Sequence, residues 1–197
     1  MLGCRPADTP VEANVCLSSQ TGEPVDKGQY QRLVGKLIYL SHTRPDITFA
    51  VTMVSQFMHD PYSSHWEAVI RILRYLKAAP GKGVLFSPHS HLRIEAFIDS
   101  QLASSPDDRC STSGYCTLVG GNLVTWRSKK QTVVARSSAE AEFRAMSHGI
   151  CELMWIKGLL QDLAIDVPLP MMLYCDNKYS KEIQDVYEML LLDAIEG

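Results

Sequence analysis

The chain has 197 residues, 46% of them hydrophobic and 21% charged, a composition that excludes global disorder and fibrous repeats. No apolar run approaches the roughly 20 residues that span a bilayer, and the start Met1-Leu2-Gly3-Cys4-Arg5-Pro6 lacks the apolar stretch of a signal peptide, so the expectation is an intracellular chain with no membrane contact. Six cysteines without a C-x-x-C pair argue against both a zinc knuckle and a disulfide framework, and a net charge of −3 by itself gives no reason to expect a polyanionic partner.

In chain order, residues 1–27 contain Pro6, Pro10 and Pro24 with Gly3 and Gly22 and no periodicity, which predicts an extended lead-in. Helical spacing then starts. Tyr30, Leu33, Val34, Leu37, Ile38 and Leu40 fall largely on one face, Pro45 ends that pattern, and a second helix is predicted from Asp46 to about Met58. Ser64-x-x-Glu67 reads as a capping box opening a third helix, with Val69, Ile72, Leu73 and Leu76 at helical spacing and Ala79-Pro80-Gly81 as its stop. The three helices make a small segment over residues 28–83.

Beyond Gly83 the period becomes that of strands. Val84 to Ser87 and Leu92 to Asp99 are strand candidates on either side of a polar turn, and the histidines of that turn, His89 and His91, read as exposed turn residues because no third ligand accompanies them. Gly114 to Val119 and Asn122 to Arg127 flank Gly120-Gly121 as a hairpin, and Thr132 to Ala135 is a further short strand. Ser137-x-x-Glu140 is a second capping box. It opens the longest helical pattern in the chain, from about Ser138 to Leu163, with Phe143, Met146, Ile150, Leu153, Met154 and Ile156 as its buried stripe. Met171 to Cys175 forms a last apolar strand, and residues 178–197 read as an amphipathic helix with Ile183, Val186, Met189, Leu190 and Ala194 on one side. The alternation predicts an α/β domain.

Charge is segregated along the chain. Arg109 to Ala139 holds Arg127, Lys129, Lys130 and Arg136 as well as Arg109, with no carboxylate, so +5 is concentrated there and −8 elsewhere. Such a stretch suits phosphate contacts, and equally suits a solvated hairpin. Three acids stand where chemistry could use them: Asp99 and Asp176 at strand ends, and Glu142 on the apolar side of the long helix, where an unpaired carboxylate is costly. Converging, they could hold one or two Mg²⁺ ions; singly, they are ordinary strand-end and helix-start residues.

The runs Asp107 to Tyr115, Gly121 to Gln131, Ser137 to Phe143 and Leu173 to Asn177 together resemble the ribonuclease H region of copia-type retrotransposon polyproteins. Upstream, Tyr30 to Leu40, Thr43 to Ile47, His65 to Ala68 and Arg74 to Lys77 resemble the segment that links the polymerase to that domain. The resemblance implies a ribonuclease H-like mixed sheet with flanking helices over residues 84–177, cut short at its C-terminal end and followed by a divergent helix over 178–197. It implies cleavage of the RNA strand of RNA–DNA hybrids with Mg²⁺ or Mn²⁺ on Asp99, Glu142 and Asp176, and hybrid backbone held by Arg127, Lys129, Lys130 and Arg136. The rest of the reverse transcriptase would be a further partner, and the cytoplasm, or the nucleus, the location. Two departures stand out. Gln101 replaces a second acid that follows the first aspartate in the family, and the fourth metal-site acid expected after residue 177 is absent. The alternative is therefore an inactive remnant that binds nucleic acid through its basic face or a protein partner through its helical segment. No polymerase active site is expected in this chain.

Overall fold

The computed structural model describes residues 3–12, 15, 17–19, 21–105 and 107–175. They form two compact units: Met1–Val84 with Ala103–Cys110 and Ser128–Lys130, and Leu85–Leu102 with Ser111–Arg127 and Gln131–Gly197.

The first unit is built on three helices, α1 (Lys27–Ser41), α2 (Pro45–Ser55) and α3 (Ser63–Ala78). Asp26 caps α1 by accepting from the Gln29 amide, and Pro45 opens α2 at a position where a helix needs no amide donor. The apolar faces meet in one core of Tyr30, Val34, Leu37, Ile47, Ala50, Val51, Val54, Val69, Ile72 and Tyr75, and the buried Tyr30 hydroxyl donates to the Val54 carbonyl at 2.7 Å. The segment before α1 lies along α3, where the Ala7 amide donates to the Arg74 carbonyl and the Ser63 amide to the Glu23 carbonyl.

The expected Ser64–Glu67 capping box does not form. The helix starts two residues earlier, with Tyr62 at the cap position, and the His65 ring does the capping: its Nδ1 accepts from the Tyr62 amide at 3.0 Å. Since Nδ1 accepts, Nε2 carries the proton and donates to the Ser18 carbonyl at 2.9 Å, while the ring stacks on Phe57. Ser64 is diverted to the Thr21 carbonyl. A shallow cavity of about 420 Å³ lies between the lead-in and the α2 and α3 helices, lined by Val11, Leu17, Met53, Ala68 and Arg71 among others.

The second unit is an α/β layer. Strands β1 (Ile94–Gln101), β2 (Thr112–Val119), β3 (Asn122–Lys130, of which Asn122–Arg127 belong to this unit) and β4 (Met172–Cys175) form a mixed sheet in the order β3-β2-β1-β4, and helix α4 (Ser138–Asp162) covers one face. β1 is antiparallel to β2 from Ile94↔Val119 to Gln101↔Thr112, and parallel to β4 from Glu95↔Met172 to Ile98↔Cys175. Alternation along β1 buries Ile94, Ala96 and Ile98 with Met146, Leu153, Ile156 and Leu173. Gly149 permits the close approach of α4: a Cβ there would meet Ile98 Cγ2 at 2.8 Å and Leu173 Cδ1 at 3.2 Å.

Several sequence expectations are corrected here. Val84 to Ser87 is not a strand: the backbone of Ser87 is bonded in both directions by the Asn122 side chain, and Leu85, 86% exposed, has no sheet face to cover. Thr132 to Ala135 is not a strand either, because the hairpin ladder closes where the Gln131 amide donates to the Ser111 carbonyl, after which Val133 and Val134 lie exposed. On α4, Phe143 and Met154 are exposed, and the buried stripe is Glu142, Ala145, Met146, Gly149, Leu153 and Ile156. The expected helix over 178–197 lies outside the described residues. Among the described residues, no helix is long and apolar enough to cross a membrane.

Candidate active site

The start of α4 is fixed by its own sequence and by one side chain from outside it. Ser137 accepts from the Glu140 amide at 3.2 Å, as the capping motif requires, while the Glu140 carboxylate reaches one residue further back, to the Arg136 amide at 2.8 Å. These backbone and Arg144 contacts hold the Glu140 carboxyl below its ordinary range. Gln131 then ties this first turn to the sheet. Its buried Nε2 donates to the Ala141 carbonyl at 3.0 Å and to Ser113 Oγ at 2.6 Å.

Ser113 is paired with Ser100, and Gly114 with Asp99, so the first turn of α4 lies at the C-terminal end of β1. Glu142, next to Ala141, is only 7% exposed and sits in the helix stripe that faces the sheet. Asp99 is exposed, on the opposite face of β1 from Ile98 and in line with Phe97, whose ring stacks on Tyr174 at 4.8 Å. β4 lies beside β1, and Cys175, the last residue described on it, is level with Ile98, one position before Asp99. Asp176 follows Cys175 in sequence and lies outside the described residues. The structure therefore places the Asp99 end of β1 and the α4 turn that carries Glu142 at the same end of the sheet, with Asp99 on the face of β1 opposite the one that α4 covers. Among the described residues, no three His, Cys, Asp or Glu side chains are grouped to hold a metal ion.

The basic residues divide by their surroundings. Arg127 and Lys129 alternate along β3 and are exposed, and Arg136 is exposed just before α4. Lys130 is committed: its Nζ lies 2.7 Å from Asp108 and 2.8 Å from Ser105 Oγ, and this bond takes the Asp108 carboxyl down to about 2. Sequence reading missed Gln131, because a glutamine at the end of a strand carries no motif, and its role depends on where Ser113 and Ala141 come to lie.

Comparison with known proteins places the chain, by its sequence, in a family. No family model matches the chain, and no solved structure matches it. Over 90% of its length the chain is 40% identical to the retrovirus-related Pol polyprotein from transposon RE2 of Arabidopsis thaliana and 41% identical to that from transposon RE1. Over 90% of its length it is also 34% identical to the retrovirus-related Pol polyprotein from transposon TNT 1-94 of Nicotiana tabacum. The chain spans 12%, 12% and 14% of these three polyproteins. At that identity over nearly the whole chain, this protein belongs to the copia-type retrotransposon Pol polyproteins, of which it corresponds to a fragment.

Proposed function

We propose that the second unit is a ribonuclease H domain that hydrolyses the RNA strand of an RNA–DNA hybrid, with Asp99, Glu142 and Asp176 as its acids. The observation that supports this reading is the link from Gln131 to Ser113 and Ala141, which ties the α4 turn carrying Glu142 to the same end of the sheet as Asp99. The strand order supports it too: β1 sits between an antiparallel hairpin and a parallel strand, so the β1 and β4 ends point the same way.

The donor set consists of carboxylate oxygens, the hard ligands that Mg²⁺ and Mn²⁺ take, and in that respect the residues fit a divalent ion. Asp99 and Glu142, with Asp176, would hold it, and the ion would supply charge stabilisation at the phosphate and an acidic water. The chain's own contribution is positioning. The α4 cap and Gln131 fix the backbone of the turn that carries Glu142, burial keeps bulk water from its carboxylate, and Arg127, Lys129 and Arg136 would neutralise hybrid phosphates without reading sequence.

The test is cleavage of an end-labelled RNA–DNA hybrid by the purified chain in Mg²⁺ and in Mn²⁺, beside Asp99→Asn. Cutting that the substitution abolishes supports the proposal. A folded chain that binds hybrid and cuts it in neither metal would instead establish an inactive remnant.

A further inference from the structure

Helix α4 exposes large apolar side chains on its outward side as well as burying an inner stripe. Its inner stripe is buried against the sheet, yet its outward spine runs Arg144, Ser147, Cys151, Trp155, Gly158, Asp162 at intervals of three and four residues, flanked by the exposed Met154 and Leu159. Trp155 is 58% exposed at the middle of this face. An outward helix face with a tryptophan at its centre and charges only towards its ends is the pattern of a contact surface.

The spine also has a symmetry. Arg144 and Asp162 lie nine residues either side of Leu153, Cys151 and Trp155 two either side, and His148 and Gly158 five either side. If two copies of α4 are laid antiparallel about a two-fold axis at that level, Arg144 of each meets Asp162 of the other, about 27 Å apart along the helix. The Trp155 indole lies over the small Cys151, and His148 lies over Gly158, where a side chain would meet nothing within 4 Å. Opposite charges, and large residues facing small ones, coincide only in this antiparallel arrangement. A parallel pairing sets Arg144 against Arg144 and Trp155 against Trp155.

We propose that the outer face of α4 is a homodimer interface and that its occupant is a second copy of this chain. The contact is one helix wide, smaller than a standard interface, so the dimer is a weak one. Arg144 already pairs with Glu140 at 2.9 Å on its own helix, and its partly exposed guanidinium can take the second carboxylate without giving up the first.

The experiment is sedimentation of the full chain between about 1 and 300 µM, a range that brackets weak association, with circular dichroism to confirm folding. The expected result is a monomer–dimer equilibrium that Trp155→Glu weakens by about 30-fold or more, since the residue occurs twice at the centre. Asp162→Arg and Arg144→Asp, each alone, set like charges at both ends and should be monomeric, while an equimolar mixture of the two should form a heterodimer. A wild-type chain that stays monomeric throughout, a dimer indifferent to Trp155→Glu, or a mixture no more associated than its components would each overturn the proposal.

Discussion

The carboxamide of Gln131 joins two elements through one nitrogen, donating at 3.0 Å to the carbonyl of Ala141 on α4 and at 2.6 Å to the hydroxyl of Ser113 on β2. Both partners are buried, so no water can replace the bond. Gln131→Leu keeps the approximate volume and removes the donor, and should lower stability by roughly 1–3 kcal/mol in urea denaturation. The proposed activity should fall further than stability does, because the turn that carries Glu142 is no longer tied to the sheet. Unchanged cleavage in Gln131→Leu would show that the α4 turn is held by other contacts.

Gly149 sits where α4 closely approaches β1 and β4. Gly149→Ala places a methyl 2.8 Å from Ile98 Cγ2, and the strain should outweigh the gain in helix propensity, for a net loss of about 1–3 kcal/mol. Adding Ile98→Ala should recover part of that loss, and a double-mutant cycle in urea measures the coupling.

In the helical unit, Asp46 accepts from Arg44 Nε at 2.8 Å and Nη2 at 2.7 Å, and from the Tyr75 hydroxyl at 2.8 Å, while Arg44 Nη1 donates to the Ala79 carbonyl at the end of α3. The Arg44 bond, aided by Tyr75, holds the Asp46 carboxyl below its ordinary value. A carboxyl depressed in the folded state contributes stability above its unfolded pKa and loses it as pH falls through its folded pKa. Wild type should therefore lose stability on acidification through the carboxylate range. Asp46→Asn, destabilised by roughly 3 kcal/mol at neutral pH because the Arg44 charge remains buried, should be flatter there. Thermal melts from about pH 7 down to about pH 3, a window set by carboxylate titration, compare the two slopes.

The two neighbouring lysines should behave differently towards a hybrid. Lys129 is exposed, whereas Lys130 is already neutralised by Asp108. Lys129→Ala should weaken hybrid binding and reduce the salt slope by somewhat less than one unit, while Lys130→Ala should leave the slope unchanged. Fluorescence anisotropy titrations across a range of salt concentrations separate them. Equal effects from both would mean that the Asp108 pair opens on binding.

The three helices, the hairpin, the long helix and the last strand are all legible from periodicity and turn residues, because each is a local property of consecutive side chains. So is the resemblance of Asp107 to Tyr115 and Ser137 to Phe143 to a known family. Local pattern fails where the outcome depends on a neighbour. Val84 to Ser87 and Thr132 to Ala135 have strand composition but no strand to pair with, and the Ser64–Glu67 box loses to the His65 ring, which reaches the Tyr62 amide and the distant Ser18 carbonyl at once.

The same division runs through the site. The sequence by itself determined which carboxylates are available, Asp99, Glu142 and Asp176, and that a basic stretch accompanies them. Only the tertiary structure decided that β4 lies parallel beside β1, that Gln131 brings the first turn of α4 to the Asp99 end, and that Lys130 is spent on Asp108. The physical reason is that residue type and period fix what a segment can form, whereas pairing and side-chain capture are settled by whichever groups the fold brings within hydrogen-bond reach.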